Sequence, residues 1–155
     1  MVNRYMKAAI EEAIAGMNSN AGGPFGAVVV MNDRIVSRAH NEVFVTHDPT
    51  AHAEVTAIRK ASLASGRFDL SDCEIYSSCE PCPMCFSAIF WSRIKWLYFA
   101  CSRFDAEKIG FDDKLLYDIF AGNAVNTQFE KIKLDDQSYR KPFEAWIKKT
   151  DKIRY

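Results

Sequence analysis

The sequence predicts an α/β protein, a three-layer α/β/α sandwich around a mixed sheet of about five strands. Three observations carry that expectation. Short β-branched or apolar runs alternate along the chain with stretches of helical periodicity. The resulting order (helix, strand, strand, helix, strand, helix, strand, helix, strand, helix) is that of a sheet covered by helices on its faces. At 155 residues, 48% of them hydrophobic, the chain is long enough for one packed domain, and no linker, repeat or low-complexity segment divides it.

Met6, Ile10, Ile14 and Met17 recur at steps of four and three and predict an amphipathic first helix, stopped by the Asn- and Gly-rich residues 18–23. Residues 25–31 and 34–40 are β-branched runs separated by Asn32-Asp33 and predict an antiparallel hairpin, although its turn lacks the favoured glycine. Residues 50–65 hold few helix breakers before Gly66 and predict a second helix with a glycine stop. Residues 73–78 predict a third strand, and Pro83, suited to a first helical turn, opens a helix to about Ser92. The apolar run IKWLYFA (94–100) predicts a strand covered on both faces. Beyond Cys101, residues 103–109 and 114–120 read as helices, 128–134 as a fifth strand and 138–149 as a closing helix.

Lys plus Arg and Asp plus Glu number 20 each, so there is no overall positive field to hold a phosphate backbone, and a dedicated nucleic-acid partner is disfavoured. The first residues interleave charged and apolar side chains without the apolar block of a signal peptide or a membrane span, so no leader and no membrane partner are expected. Five cysteines, with Cys79, Cys82 and Cys85 crowded together, suit thiolate chemistry or metal binding in a reducing compartment better than disulfides. A cytoplasmic location is expected. Cys73, Cys79 and Cys101 read as buried core thiols.

The residues that carry chemistry lie in two short stretches. His52-Ala53-Glu54 begins the second predicted helix, and Pro81-Cys82-Pro83-Met84-Cys85 straddles the start of the third. Cysteines three apart at a helix start share a face, where unpaired N–H groups and the helix dipole favour thiolate over thiol. A histidine from a second helix start adds a third ligand, and three protein ligands leave one tetrahedral position of a zinc ion open, the count of a catalytic site. Glu54 is not needed as a ligand; two residues from His52, its carboxylate is placed to take a proton from water and pass it on as a general acid and base. Singly, each piece has an ordinary reading: His52 as a helix-end or surface residue, Cys82-x-x-Cys85 as a redox pair. An iron–sulfur run would need a further cysteine followed by proline soon after Cys85, and residues 86–90 supply none. Joined in this order about thirty residues apart, H-x-E and P-C-x-x-C make up the signature of the zinc-dependent deaminases.

The chain resembles the cytidine deaminase superfamily, and within it the bacterial-type guanine deaminases, over essentially its whole length. The resemblance is carried by GGPFGAV (22–28), DPTAHAEVTAIR (48–59), SCEPCPMC (78–85), GFDD (110–113) and the stretch from PFEAW (142–146) to Tyr155. The zinc segments are common to the superfamily, whereas GFDD and Tyr155 point to guanine. The resemblance implies a cytidine deaminase-like fold with one Zn2+ per subunit on His52, Cys82 and Cys85, and with Glu54 catalytic in converting guanine to xanthine and ammonia. It further implies that Asn41 and Asp113 meet the edge of the base and that Phe25 and Trp91 wall its ring. A homodimer is implied too, exchanging a segment of about 138–155 and so bringing Tyr155 over the partner's base.

Guanine's chemistry suits these residues. Its ring N–H donors call for a carboxylate, its O6 and N7 for an amide or N–H donor, and its flat ring for aromatic or apolar walls. The plainer readings are an N-cap at Asp112-Asp113, a turn residue at Asn41, core packing for the aromatics and a frayed polar tail over 148–154. Guanosine, cytosine or tRNA adenosine are the alternative substrates, and a non-catalytic zinc-binding module is the alternative of another class. Glu54, dispensable for metal binding, argues for the enzyme.

Overall fold

The computed structural model describes residues 3–134 and 136–153. Asn3 caps the first helix, its Oδ1 accepting from the backbone N–H groups of Tyr5 and Met6 at 2.8 and 3.2 Å, and α1 then spans Arg4–Asn18. Two of the four otherwise unpaired amides of that helix end are satisfied in this way. The strands β1 (Gly26–Met31) and β2 (Arg34–His40) form the expected hairpin. Asn32 and Asp33 both take positive φ, 49° and 60°, which supplies the type I′ geometry without glycine.

A short helix α2 (Val43–Thr46) precedes α3 (Ala53–Ser65), which stops at Gly66 with φ 65°. Strand β3 (Cys73–Cys79), helix α4 (Pro83–Trp91) and strand β4 (Trp96–Cys101) follow. The sheet order is β2-β1-β3-β4; β1 is antiparallel to both its neighbours, and β3 and β4 are parallel. Alternation along the strands divides the core in two. Ala27, Val29 and Ile75 face α3 and α4, whereas Val28, Val30 and Tyr76 face Tyr5, Ala8 and Ala9 of α1. The result is the expected three-layer mixed-sheet α/β fold.

Four expectations are corrected. First, the sheet has four strands among the described residues: residues 128–134 form none and are exposed. Phe129 is followed by two charged residues, so the period-two alternation is broken. Second, β4 is an edge strand, and Trp96, Tyr98 and Phe99 are between 43% and 48% exposed instead of covered. Third, Cys101 at its end is exposed, unlike the buried Cys73 and Cys79.

The fourth correction concerns α1, which buries Tyr5, Ala8, Ala9, Ala13 and Gly16 and leaves Ile10, Ile14 and Met17 largely exposed. The cause is close approach to the sheet: a Cβ on Gly26 would overlap the Ala9 carbonyl oxygen and the Ala13 amide nitrogen, so only small side chains fit the contact. The longer side chains overhang an apolar cavity of about 460 Å³ shared with Phe25, Ala100 and Ile109. Gly26→Ala is therefore expected to lower the unfolding free energy by about 1–3 kcal/mol, the usual cost of overpacking, as read from the urea midpoint.

After β4 the chain forms α5 (Arg103–Lys108), α6 (Lys114–Phe120), a 3-10 turn (Gln137–Arg140) and α7 (Lys141–Lys148). The predicted closing helix is thus split between the turn and α7. No helix among the described residues is long and apolar enough to cross a membrane.

Candidate active site

The pairings Gly26↔His40 and Ala27↔Ser77 bring the start of β1 and the ends of β2 and β3 to one edge of the sheet. Helices α3 and α4 begin at that edge. His52 is the N-cap of α3 and Cys82 the N-cap of α4, and neither side chain bonds to its helix end. Pro83 follows at the first helical position, where its missing N–H costs nothing. Cys85 sits one turn into α4, fully buried.

His52 Nδ1 lies 3.6 Å from Cys82 Sγ and 3.5 Å from Cys85 Sγ, and the three ligand atoms fall within 4.8 Å of one another. Tetrahedral zinc, with Zn–S of about 2.3 Å and Zn–N of about 2.0–2.1 Å, asks for N···S separations of about 3.6 Å. The donor set and its spacing therefore fit zinc. A hydrogen bond from Cys85, and then one from His52, hold the Cys82 thiol well below its ordinary range, while Cys85, the donor and buried, is pushed up. The hydrogen bond to Cys82 raises His52 against the opposing effect of burial.

Glu54, in the first turn of α3, is 5% exposed. Burial raises its carboxyl above the usual range; hydrogen bonds from its own helix-end amide, Ser77 and Cys85 pull the other way. Ser77 Oγ donates to Glu54 Oε1 at 3.0 Å.

An open cavity of about 1110 Å³ is lined by His52, Cys82, Met84 and Asp113, with apolar side chains of α6 and residues 125–132 on its outer side. Asp113 occupies the N-cap position of α6 without capping it; Asp112 Oδ1 accepts from the Lys114 N–H at 2.8 Å instead. The Asp113 carboxylate is thereby left to the cavity, and burial, followed by the negative Cys82, raises it. Asn41 is buried just past β2. Its Oδ1 accepts from the Val43 N–H at 3.2 Å, leaving the NH2 end as the available donor. A Cβ at Gly22 would overlap that Oδ1, so a glycine is needed there. Phe25 accepts from the Asn41 N–H through its carbonyl at 3.0 Å and packs edge-on against Phe111, centroids 4.9 Å apart. Trp91 does not join the group: it lines a separate groove with Val55, Ile58, Phe68 and Ile153 on the outside of α3 and α4. Tyr155 lies outside the described residues.

A profile of the cytidine and deoxycytidylate deaminase zinc-binding region matches residues 1–101. The chain belongs to this deaminase family. It is 42% identical to the guanine deaminase of Bacillus subtilis (strain 168) over 151 residues, 97% of each chain. The X-ray structure of guanine deaminase from Bacillus subtilis matches with a TM-score of 0.93 at 41% identity, covering 99% of both chains. A tRNA-specific adenosine deaminase of Aquifex aeolicus is 40% identical over 96 residues, 62% of this chain and 63% of that one. The structure of guanine deaminase from Nitrosomonas europaea matches with a TM-score of 0.66 at 33% identity, covering 71% of this chain and 64% of that one.

Sequence reasoning about this deaminase missed the residues that fasten the site. Tyr117 on α6 donates its hydroxyl to the Pro81 carbonyl at 2.7 Å, tying the Asp113 segment to the metal-binding loop. The Arg103 guanidinium lies 4.6 Å over the Tyr117 ring, and the Arg103 N–H donates to Glu80 Oε2 at 3.0 Å. Ser77 was missed as well, a hydroxyl on a strand face otherwise given to Cys73 and Ile75. A polar residue at an inward strand position was the signal available.

Proposed function

We propose that this zinc-dependent deaminase hydrolyses guanine to xanthine and ammonia. The full-length identity to a guanine deaminase carries the reading, because it spans both the metal-binding segments and the GFDD segment that presents Asp113. His52, Cys82 and Cys85 would hold the metal. When bound, zinc lowers the pKa of a coordinated water to about 7, supplying a nucleophile at neutral pH. Glu54 would take one proton from the attacking water and give it to the ring nitrogen beside C2, then take the second from the new C2 hydroxyl as the carbonyl forms and pass it to the departing amine, which leaves as ammonia. Asp113 accepts from the ring N–H groups, the Asn41 NH2 donates to the base, and Phe25 walls the ring from the β1 side.

The chain forms one domain whose segment of about 138–155 is exchanged within a homodimer. Two exposed apolar surfaces support this: the β4 edge, and the side chains of Phe143 and Ile147 on α7, more than 70% exposed in a helix with no buried residue. Trp91 stands on an outer face, so its contact with a base requires the second subunit, and Tyr155 closes the partner's site. Light scattering on the intact protein is expected to give a dimer mass. Deletion of residues 153–155 is expected to reduce guanine turnover at least tenfold; unchanged activity would remove the lid.

The test of the substrate is ammonia release by zinc-loaded protein given guanine, guanosine, adenine, cytosine and cytidine at equal concentration. Guanine alone is expected to react. Turnover of another compound in its place would leave the metal chemistry standing and overturn the roles given to Asp113 and Asn41.

A further inference from the structure

We propose that Ser77 is a positioning residue for the proton-transferring carboxylate, an inference that rests on the role given to Glu54. Ser77 is 2% exposed at the centre of the sheet, between Ala27 of β1 and Phe99 of β4. Its face of β3 otherwise carries apolar side chains toward α3 and α4. A buried hydroxyl without a partner is unfavourable there, and its partner is Glu54 Oε1 at 3.0 Å.

The geometry has a directional consequence. A carboxylate at a helix start rotates about its terminal bond, which exchanges its two oxygens. The Ser77 hydroxyl donates to Oε1, and with the Glu54 backbone N–H and Cys85 also bonded to the carboxylate, it restricts that rotation. Each proton transfer then starts from one orientation of the group. Because Ser77 is held by the β1–β3 and β3–β4 ladders, the sheet fixes that orientation together with the helix-end amide and Cys85.

The test is steady-state kinetics with guanine, with zinc content and urea midpoint measured on each variant. Ser77→Ala is expected to keep one zinc per chain and an unchanged KM while kcat falls about ten- to a hundredfold, the loss associated with one hydrogen bond to a charged group. Ser77→Thr, which keeps the hydroxyl, is expected to stay within about threefold of the wild-type kcat. Any of three results would overturn the proposal: Ser77→Ala turning over within twofold of wild type, losing zinc, or failing to fold. A folded, zinc-replete Ser77→Thr as slow as the alanine variant would overturn it too. Glu54→Gln, assayed alongside, separates the two levels. An active Glu54→Gln refutes the role of Glu54 itself, whereas an inactive one beside a fully active Ser77→Ala refutes only the positioning role.

Discussion

Glu54→Gln is expected to bind zinc as wild type does and to lose turnover by about 10²–10⁴-fold, the range spanned by removal of a general acid–base group. The side chain keeps its size and its Oε1 acceptor for the Ser77 hydroxyl, so the fold and the position of the group are retained. What is lost is the ability to take and return a proton. Metal analysis and single-turnover assays on the purified variant check both halves. Turnover near the wild-type rate would pass the proton work to another group, and Asp113, which lines the same cavity, would be the first to examine.

His52→Ala is expected to fail differently, by losing the ion. Its Nδ1 stands 3.5–3.6 Å from both thiol sulfurs, and without it two cysteines remain of a three-ligand set. Activity is expected to disappear together with bound zinc and to return only in part at high added metal. The stability readout is independent: a ligand present at 100 times its dissociation constant stabilises the folded state by about 2.7 kcal/mol. A chelator should therefore lower the urea midpoint of the wild-type protein and leave that of His52→Ala where it is. An equal response in both would place the metal elsewhere.

The metal-binding residues were legible because their spacing is local. Cys82 and Cys85 need only one helix turn to meet, and His52 needs only a second helix start, so Pro83 and the two short motifs suffice. Residues that depend on long-range contacts were not legible in the same way. The overhang of Ile10, Ile14 and Met17 follows from the contact between Gly26 and the backbone of α1, which no periodicity within the helix reports. The apolar run at 94–100 indicated a strand but could not say on which side of the sheet its neighbours end. Residues 128–134 showed how little apolar composition decides when charged residues interrupt the alternation. Ser77 offered only its inward polar position as a signal, because its partner is 23 positions away, on another element.

His52 and Cys82 each occupy the place where a helix is ordinarily closed by Ser, Thr, Asp or Asn, and neither closes it. Such a vacant end forgoes about 1 kcal/mol. A redesign guided by the metal-free chain would therefore single out these two positions, and Asp or Ser at either would steady the helix end while forfeiting a zinc ligand and the catalytic centre with it. The tension between robustness and activity in this enzyme is thus concentrated at two backbone positions, and any thermostabilised variant should have both exempted from change at the outset.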